Sequence, residues 1–256
     1  MAQKHFVLVH GAAHGAWSWF KIPPLLEAGG HKVTTLDMSA SGINKKDIDE
    51  VHTFHDYNLP LLEFMNSLPP GEKVILVGHS LGGLNISLAS EKFPHKVSVS
   101  VFLGAIMPDT VHSPSYAIDQ YAERTPGEYW MDTQFYVSSG KEILVFGHQN
   151  LATKLYQLCS PEDIALGKML VRPSSMFRED LSKQEKLTED GFGSVKRVYI
   201  VIAKHDLAVL EEFQYWQIEN TGVSEIKVIK QADHMAMLSS PHEVSQCLLE
   251  IANDYH

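Results

Sequence analysis

The chain has 256 residues, with 21 basic and 31 acidic side chains, and its formal net charge is −10. Its content of 44% hydrophobic and 20% charged residues is typical of a globular protein and excludes a disordered chain, a collagen and a coiled coil. An acidic chain repels the phosphate backbone of nucleic acids, so we expect no nucleic-acid partner.

The cysteine content and the apolar runs indicate the cellular compartment. Two cysteines, Cys159 and Cys247, exclude a disulfide framework and a four-cysteine zinc site. The first apolar run, Phe6–Val9, is too short for the core of a signal peptide. No apolar run reaches the roughly 18 residues that indicate a membrane-spanning helix. We therefore expect a cytoplasmic protein with no membrane partner.

Short apolar runs rich in β-branched residues alternate with helical patterns along the chain. Such runs are typical of strands buried on both faces of a parallel sheet, and the alternation predicts an α/β fold with helices on both sides of the sheet. The predicted strands are Phe6–Val9, Lys32–Asp37, Val74–Val77, Val97–Leu103, Val198–Ile202 and Ile226–Ile229. The predicted helices are one that begins at Pro23-Pro24, then Tyr57–Leu68, Leu81–Phe93, Glu211–Glu219 and Glu243–Ala252.

The alternation of strands and helices stops between Pro108 and about Gly193. This stretch is rich in aromatic residues and shows no strong alternating run, with short helices predicted at Pro161–Val171 and around Ser175–Gln184. We interpret it as a cap that covers one end of the sheet. The predicted organisation is a core made of residues 1–107 and 193–256, with a cap subdomain at 108–192.

A candidate nucleophile lies between the third predicted strand and the helix that follows it. Gly78-His79-Ser80-Leu81-Gly82 matches the pattern G-x-S-x-G. A sharp strand-to-helix turn forces the central serine into a strained conformation, which flanking glycines allow without a clash. The turn exposes Ser80 at the carboxyl edge of the sheet, where α/β proteins bind their ligands.

A serine hydroxyl needs a base, and in folds with this turn the acid and then the histidine follow the serine in the chain. His234 follows the last predicted strand, and Asp206 follows the strand before it. These positions predict a catalytic triad in which Asp206 orients the imidazole of His234. Asp233 is the alternative acid, although an immediate neighbour of the histidine usually points away from it.

The loop after the first strand is a candidate oxyanion hole. Its small residues let the backbone approach a ligand closely, and the N–H groups of Ala12 and Leu81 are the predicted donors. His10 and His14 have the spacing of helical zinc ligands. A glycine-rich loop is not a helix, however, and no third ligand is near, so we expect no metal site.

The cap supplies the candidate pocket for the acyl group of a substrate. Its aromatic residues Tyr121, Trp130 and Phe135 are predicted to form an apolar wall. For each of them, burial in the core of the cap is the alternative interpretation.

Several segments resemble the plant methylesterase and hydroxynitrile lyase family of α/β-hydrolases, in particular its salicylate-binding methylesterases. The resemblance implies a mostly parallel central sheet flanked by helices, a cap inserted after the sixth strand, a Ser-His-Asp triad, no cofactor and a homodimer. The similar segments cover nearly the whole chain: His5–Gly15 with Trp17, Gly78–Gly83, Met107–Asp109, Tyr129–Phe135, Cys159–Asp163, Arg172-Pro173, Gly193–Val198 and Asp233–Leu238.

The resemblance implies hydrolysis of methyl esters of small plant acids, of the salicylate, jasmonate, indole-acetate or alkaloid type. Lyases of this family carry threonine or asparagine in place of Gly11, phenylalanine in place of His79, cysteine in place of Leu81, or lysine in place of Met235. Gly11 and Met235, which the resemblance places at the substrate, agree with the esterases. Two alternatives stay open, a hydroxynitrile lyase and a small-molecule binder with an impaired triad.

The loop that carries the acid departs from the pattern of the family. It is one residue longer than usual, so the acid of the family falls at His205. A local bulge would restore Asp206 to its place. Without such a bulge the acid is misplaced, and activity should drop.

Overall fold

Six parallel strands form the central sheet of the computed structural model, which describes residues 3–255. Their order across the sheet is β2-β1-β3-β4-β7-β8, for the strands β1 His5–Val9, β2 Lys32–Leu36, β3 Val74–His79, β4 Val97–Leu103, β7 Arg197–Ile202 and β8 Glu225–Ile229. All six predicted strands are confirmed, and their ends differ from the prediction by at most two residues. The remaining strands, β5 Gln134–Ser138 and β6 Lys141–Val145, form a separate antiparallel hairpin.

Helices cover both faces of the sheet. They are α1 Ile22–Ala28, α2 Phe54–Ser67, α3 Gly82–Lys92, α4 Tyr116–Arg124, α5 His148–Asn150, α6 Pro161–Leu170, α7 Arg178–Ser182, α8 Glu211–Thr221, α9 Ala236–Ser239 and α10 Pro241–Asp254. The predicted helices are confirmed, and α1 has proline in its first turn as expected. Helix α2 begins three residues before its predicted start because Thr53 and Asp56 form a reciprocal capping box at its N-terminus.

Alternate side chains of each central strand enter two separate cores, which explains the nearly continuous apolar runs of the sequence. Val7 and Val9 of β1 pack in the core that includes residues of α2, α3 and α8. Phe6 and Leu8 of the same strand pack in the core that includes residues of α1 and α10. Both faces of the central strands are therefore buried.

The segment between β4 and β7 contains α4 to α7, the β5-β6 hairpin and a π-helix at Leu151–Leu155. The short predicted helices are confirmed as α6 and α7. The hairpin escaped prediction because β5 is largely exposed and shows no alternation of buried and exposed residues. The resemblance implied a cap inserted after the sixth strand, and this expectation is corrected. Along the chain, the insertion begins after four strands of the central sheet, β1 to β4, are complete.

The register of the sheet brings four loops to one edge. Val9 at the end of β1 pairs with Gly78 of β3, and Ile202 at the end of β7 pairs with Ile229 of β8. Since the strands are parallel, the loops after β1, β3, β7 and β8 all leave from their carboxyl ends. No helix within residues 3–255 is long and apolar enough to cross a membrane.

Candidate active site

Ser80 lies at the sharp turn between β3 and α3. Its backbone φ is +54°, in the left-handed region that residues other than glycine rarely adopt, so the predicted strained conformation is confirmed. The backbone is tightly packed at this turn, because a Cβ atom on Gly78 would lie 2.5 Å from the carbonyl oxygen of Gly82. The Ser80 carbonyl accepts hydrogen bonds from the N–H groups of Gly83 at 3.1 Å and Ile106 at 2.9 Å. These bonds hold the turn in place.

His234 and Asp206 form a buried pair at the same edge of the sheet. Nδ1 of His234 lies 3.1 Å and 3.0 Å from the two carboxylate oxygens of Asp206. One of these oxygens also accepts the N–H groups of Ala208 at 2.9 Å and Val209 at 2.7 Å, which fixes the orientation of the carboxylate. Because Nδ1–H donates to Asp206, Nε2 is the proton-accepting nitrogen of the neutral imidazole.

A tight turn accommodates the extra residue of the loop after β7. Lys204 has φ of +60°, and the N–H of His205 donates to the carbonyl of Ala203 at 2.7 Å. Directly after this turn, the carboxylate of Asp206 reaches Nδ1 of His234. The turn is the local bulge that the sequence required for a correctly placed acid.

Asp233, the alternative acid, is bonded to other groups. Its carboxylate accepts the N–H of Leu158 at 2.8 Å and the hydroxyl of Ser239 at 2.7 Å. Burial raises the pKa of the Asp233 carboxyl. The side chain therefore ties the histidine loop to the cap and does not orient the His234 imidazole.

The loop after β1 holds its carbonyl groups by hydrogen bonds from its own histidines. Nδ1 of His10 donates to the Gly11 carbonyl at 2.8 Å, and Nδ1 of His14 donates to the Ala12 carbonyl at 2.8 Å. The N–H groups of Ala12 and Leu81, by contrast, have no hydrogen-bond partner among residues 3–255. Two free N–H donors beside a nucleophile are the groups from which an oxyanion hole is built.

The hydrogen bonds of His10 and His14 leave them no capacity to bind a metal. Nε2 of His10 accepts the N–H of Met38 at 3.1 Å, and Nε2 of His14 accepts the hydroxyl of Tyr156 at 2.6 Å. Burial lowers the pKa of His14 to about 3, so this imidazole stays neutral. In the described part of the chain, no group of three or more His, Cys, Asp or Glu side chains is placed to hold a metal ion.

One cavity brings together six of the predicted site residues. Ser80, His234, Gly11, Ala12, Tyr121 and Trp130 line it. Its open volume is about 40 Å³, whereas a cavity of about 150 Å³ holds a benzene molecule. The cavity in this structure is therefore smaller than one that holds an aromatic ring. The other lining residues are mostly apolar: His14, His79, Ile106, Tyr129, Leu144, Phe146, Asn150, Leu155, Met176, Ala208 and Val209.

Two predicted pocket residues lie outside this cavity, and the expectation that they contact a substrate is corrected. Met235 is fully buried in the core beside α10, because the chain turns into α9 directly after His234. Phe135 is 42% exposed on the β5 strand and meets Trp130 edge-on, with ring centroids 5.1 Å apart. Asp206 and Leu81 are also absent from the lining of this cavity, although Asp206 contacts His234, which lines it.

His79 belongs to the cavity wall, a position that the sequence analysis missed. Its Nε2–H donates to the His234 carbonyl at 2.8 Å, and the two rings are 4.5 Å apart. Burial and the neighbouring His234 lower the pKa of His79 well below its usual value, so the ring is neutral. A Cβ atom on Gly11 would lie 2.7 Å from Ser80 Cβ and 3.3 Å from His79 Nδ1, which explains glycine at position 11. The position of His79 inside the serine motif was the signal that could have identified it as a residue of the site.

Comparison with known proteins agrees with this fold. The family described as alpha/beta hydrolase fold matches residues 4–241. Salicylic acid-binding protein 2 of Nicotiana tabacum is 59% identical over 257 residues, which cover 99% of this chain and 98% of that protein. Methylesterase 1 of Arabidopsis thaliana is 47% identical over 257 residues, which cover 99% and 97%. A crystal structure of polyneuridine aldehyde esterase has a TM-score of 0.96 at 49% identity and covers 98% of this chain and 100% of that chain.

The parallel sheet, the strained serine and the match over most of the chain define an α/β-hydrolase. Within that class, the chain belongs to the plant methylesterase family. The resemblance stated from the sequence motifs is thus confirmed.

Proposed function

We propose that this protein is a serine esterase that hydrolyses methyl esters of small plant acids of the salicylate, jasmonate, indole-acetate or alkaloid type. The observation that carries the proposal is the buried pair of His234 and Asp206, whose imidazole lines the same cavity as Ser80. The relatives named as methylesterase and as aldehyde esterase support the same reaction class.

The first half of the reaction forms an acyl-enzyme. His234 Nε2 takes the hydroxyl proton of Ser80 as the serine oxygen attacks the ester carbonyl carbon. In the described chain, the Ser80 hydroxyl and the His234 imidazole make no hydrogen bond to each other. Catalytic hydrogen bonds of this kind are often long without substrate and tighten when it binds. Asp206 stabilises the imidazolium that forms. His234 then returns the proton to the leaving methoxy oxygen, and methanol departs.

The second half repeats these steps with water. His234 removes a proton from water, the water oxygen attacks the acyl carbon, and Ser80 recovers its proton as the free acid leaves. In both halves the negative oxygen accepts hydrogen bonds from the N–H groups of Ala12 and Leu81. Each such donor lowers the barrier by about 3 kcal/mol in comparable enzymes.

The charge of the cavity favours the esterase over the lyase alternative. Within residues 3–255, no lysine or arginine lines it. A departing cyanide anion would therefore find no cation, whereas methanol leaves as a neutral molecule. The bonded Asp206 also argues against a binder with an impaired triad.

We further infer that the protein acts as a cytoplasmic homodimer that needs no cofactor. Its two cysteines, Cys159 and Cys247, are both free, as is usual in a reducing compartment. The dimer and the absence of a cofactor rest on the properties of the family. The charge of −10 supports the absence of a nucleic-acid partner.

The test is turnover of a panel of methyl esters by the wild-type protein and by Ser80→Ala. We expect Ser80→Ala to lower kcat by about a millionfold, as in other serine hydrolases, with an unchanged circular dichroism spectrum. Ser67→Ala, at an exposed position on α2, is the matched control and should keep full activity. Retained turnover in Ser80→Ala, or release of cyanide from mandelonitrile faster than any ester is cleaved, would overturn the proposal.

A further inference from the structure

Two residues on the cap side of the cavity each carry a buried polar atom that has no hydrogen-bond partner. The two atoms are the hydroxyl of Tyr129 and Oδ1 of Asn150. Buried polar atoms are nearly always bonded, so each exception needs an explanation. In a ligand cavity, the simplest explanation is a group on the ligand that completes the bonds.

The Asn150 amide is held in a single orientation. Its Nδ2 donates to the backbone carbonyls of Tyr129 at 3.1 Å and Trp130 at 3.3 Å. Its backbone N–H donates to Asp132 at 2.8 Å, and only 2% of the residue is exposed. Because the Nδ2 group already donates to two carbonyls, Oδ1 of this cavity-lining residue is left as a buried acceptor held in one orientation. It needs a donor.

The Tyr129 hydroxyl is available both to donate and to accept. Burial, with a contribution from the Asp206 charge, raises the pKa of Tyr129, so the phenol keeps its proton. Nζ of Lys154 lies 4.5 Å from the centroid of the ring and helps to hold it. Tyr121 in the same wall differs, because its hydroxyl already donates to the Ala208 carbonyl at 3.0 Å. The free hydroxyl is therefore not a general feature of this wall.

We propose that Tyr129 and Asn150 select esters whose acyl group carries a hydroxyl remote from the ester bond. The substrate hydroxyl donates to Asn150 Oδ1 and accepts from the Tyr129 hydroxyl. This inference rests on the proposed function, since the methanol that leaves carries no other polar group and the hydroxyl must belong to the acyl part. Ser80 and His234 stand on core loops while Tyr129 and Asn150 stand on the cap, so the ester and the substrate hydroxyl would contact different parts of the protein.

The rest of the wall limits the acyl group further. Ile106, Leu144 and Val209 offer only apolar contacts. An acyl group that also carries a free carboxylate would bring a negative charge to the Asn150 oxygen. No lysine or arginine among the lining residues of the described chain would compensate this charge. A neutral, apolar acyl group with one hydroxyl therefore fits best.

The test compares kcat/KM for methyl benzoate with kcat/KM for methyl 3-hydroxybenzoate and methyl 4-hydroxybenzoate. We expect the wild-type protein to prefer one hydroxylated ester about 10-fold, the size of one net hydrogen bond. Tyr129→Phe should reduce this ratio to about one, because it removes only the hydroxyl. Tyr136→Phe, on the exposed face of β5, is the matched control and should keep the ratio.

Asn150→Leu gives a second measurement, and it should flatten the same ratio. If that variant does not fold, Tyr129→Phe still decides, since it leaves the Asn150 bonds in place. A wild-type ratio of one, or a preference that survives Tyr129→Phe, would overturn the proposal. Either result would mean that a bound water and not the substrate completes these bonds.

Calorimetry with the Ser80→Ala protein separates this inference from the proposed function. Binding of methyl 4-hydroxybenzoate and methyl 3-hydroxybenzoate against methyl benzoate does not depend on turnover. If the wild-type protein cleaves no ester, the proposed function fails, while a binding preference that Tyr129→Phe abolishes still supports the role of the pair. Equal binding of all three esters to Ser80→Ala would contradict that role even in an active esterase.

Discussion

The core side and the cap side of the cavity differ in which polar groups are left without a hydrogen-bond partner. On the core side, the side chains of Asp206, His10 and His14 bond to neighbouring groups, while the N–H groups of Ala12 and Leu81 and Nδ1 of His79 have no partner in the described chain. On the cap wall, Tyr129 and Asn150 keep polar atoms free. A group that does chemistry must be held in one position before the substrate arrives, whereas a group that selects a substrate must have bonding capacity to spare. The core wall therefore carries the reaction and the cap wall the choice of ester.

The largest effect that tests this division is expected from Asp206→Asn. The asparagine amide would present hydrogens to Nδ1 of His234 and impose the wrong tautomer, so kcat should fall by about 10⁴-fold. The change is measured as kcat on a methyl ester, with folding checked by circular dichroism.

Asp233→Asn is the matched control for that variant. Its carboxylate bonds to Leu158 and Ser239 and not to the imidazole, so the loss should stay within about tenfold, the effect of one or two weakened hydrogen bonds. A larger loss of kcat in Asp233→Asn than in Asp206→Asn would show that Asp233, and not Asp206, is the acid of the triad.

An intermediate effect is expected on the free energy of unfolding when the pH is lowered, because the histidines of the core side are buried. Burial lowers the pKa values of His10, His14 and His79, and that of His14 falls to about 3. Below the unfolded value of about 6.5, the unfolded chain binds protons that the folded chain does not. Stability is therefore full above this pH and is lost as the pH falls, by about 1.4 kcal/mol per pH unit for each histidine.

Urea unfolding at pH 7.5, 6.0 and 5.0 measures this dependence. His14→Gln should give a shallower loss by about one histidine. The same unfolding midpoint at all three pH values would show that the core histidines do not stay neutral.

The smallest effect concerns backbone strain in the cap. Met131 has φ of +50° and ψ of −116° and is 40% exposed. Glycine relieves this strain while alanine keeps it, so Met131→Gly should be more stable than Met131→Ala by about 1 kcal/mol. The free energy of unfolding in urea measures the difference. Equal stability of the two variants would mean that the cap, unlike the core edge with Ser80, stores no strain at this residue.

The predictions from sequence succeeded where a local rule applies. The strands of the sheet followed from runs of buried β-branched residues, and the strained turn at Ser80 followed from Gly78 and Gly82 around a serine. The hairpin β5-β6 was missed because its exposed residues 134–137 leave no pattern of burial. Phe135 and Met235 were misplaced because an aromatic or apolar residue gives no sign of whether it faces a cavity or a core.

By itself the sequence determined the α/β architecture, the serine turn and the loops from which a base and an acid come, since each depends on short-range backbone rules and strand order. The tertiary structure decided that a tight turn at Lys204 brings Asp206 to His234. It also decided that Tyr129 and Asn150 line the cavity and that each carries a buried polar atom without a partner. Both depend on contacts between segments distant in the chain, whose distances and hydrogen bonds no local pattern encodes.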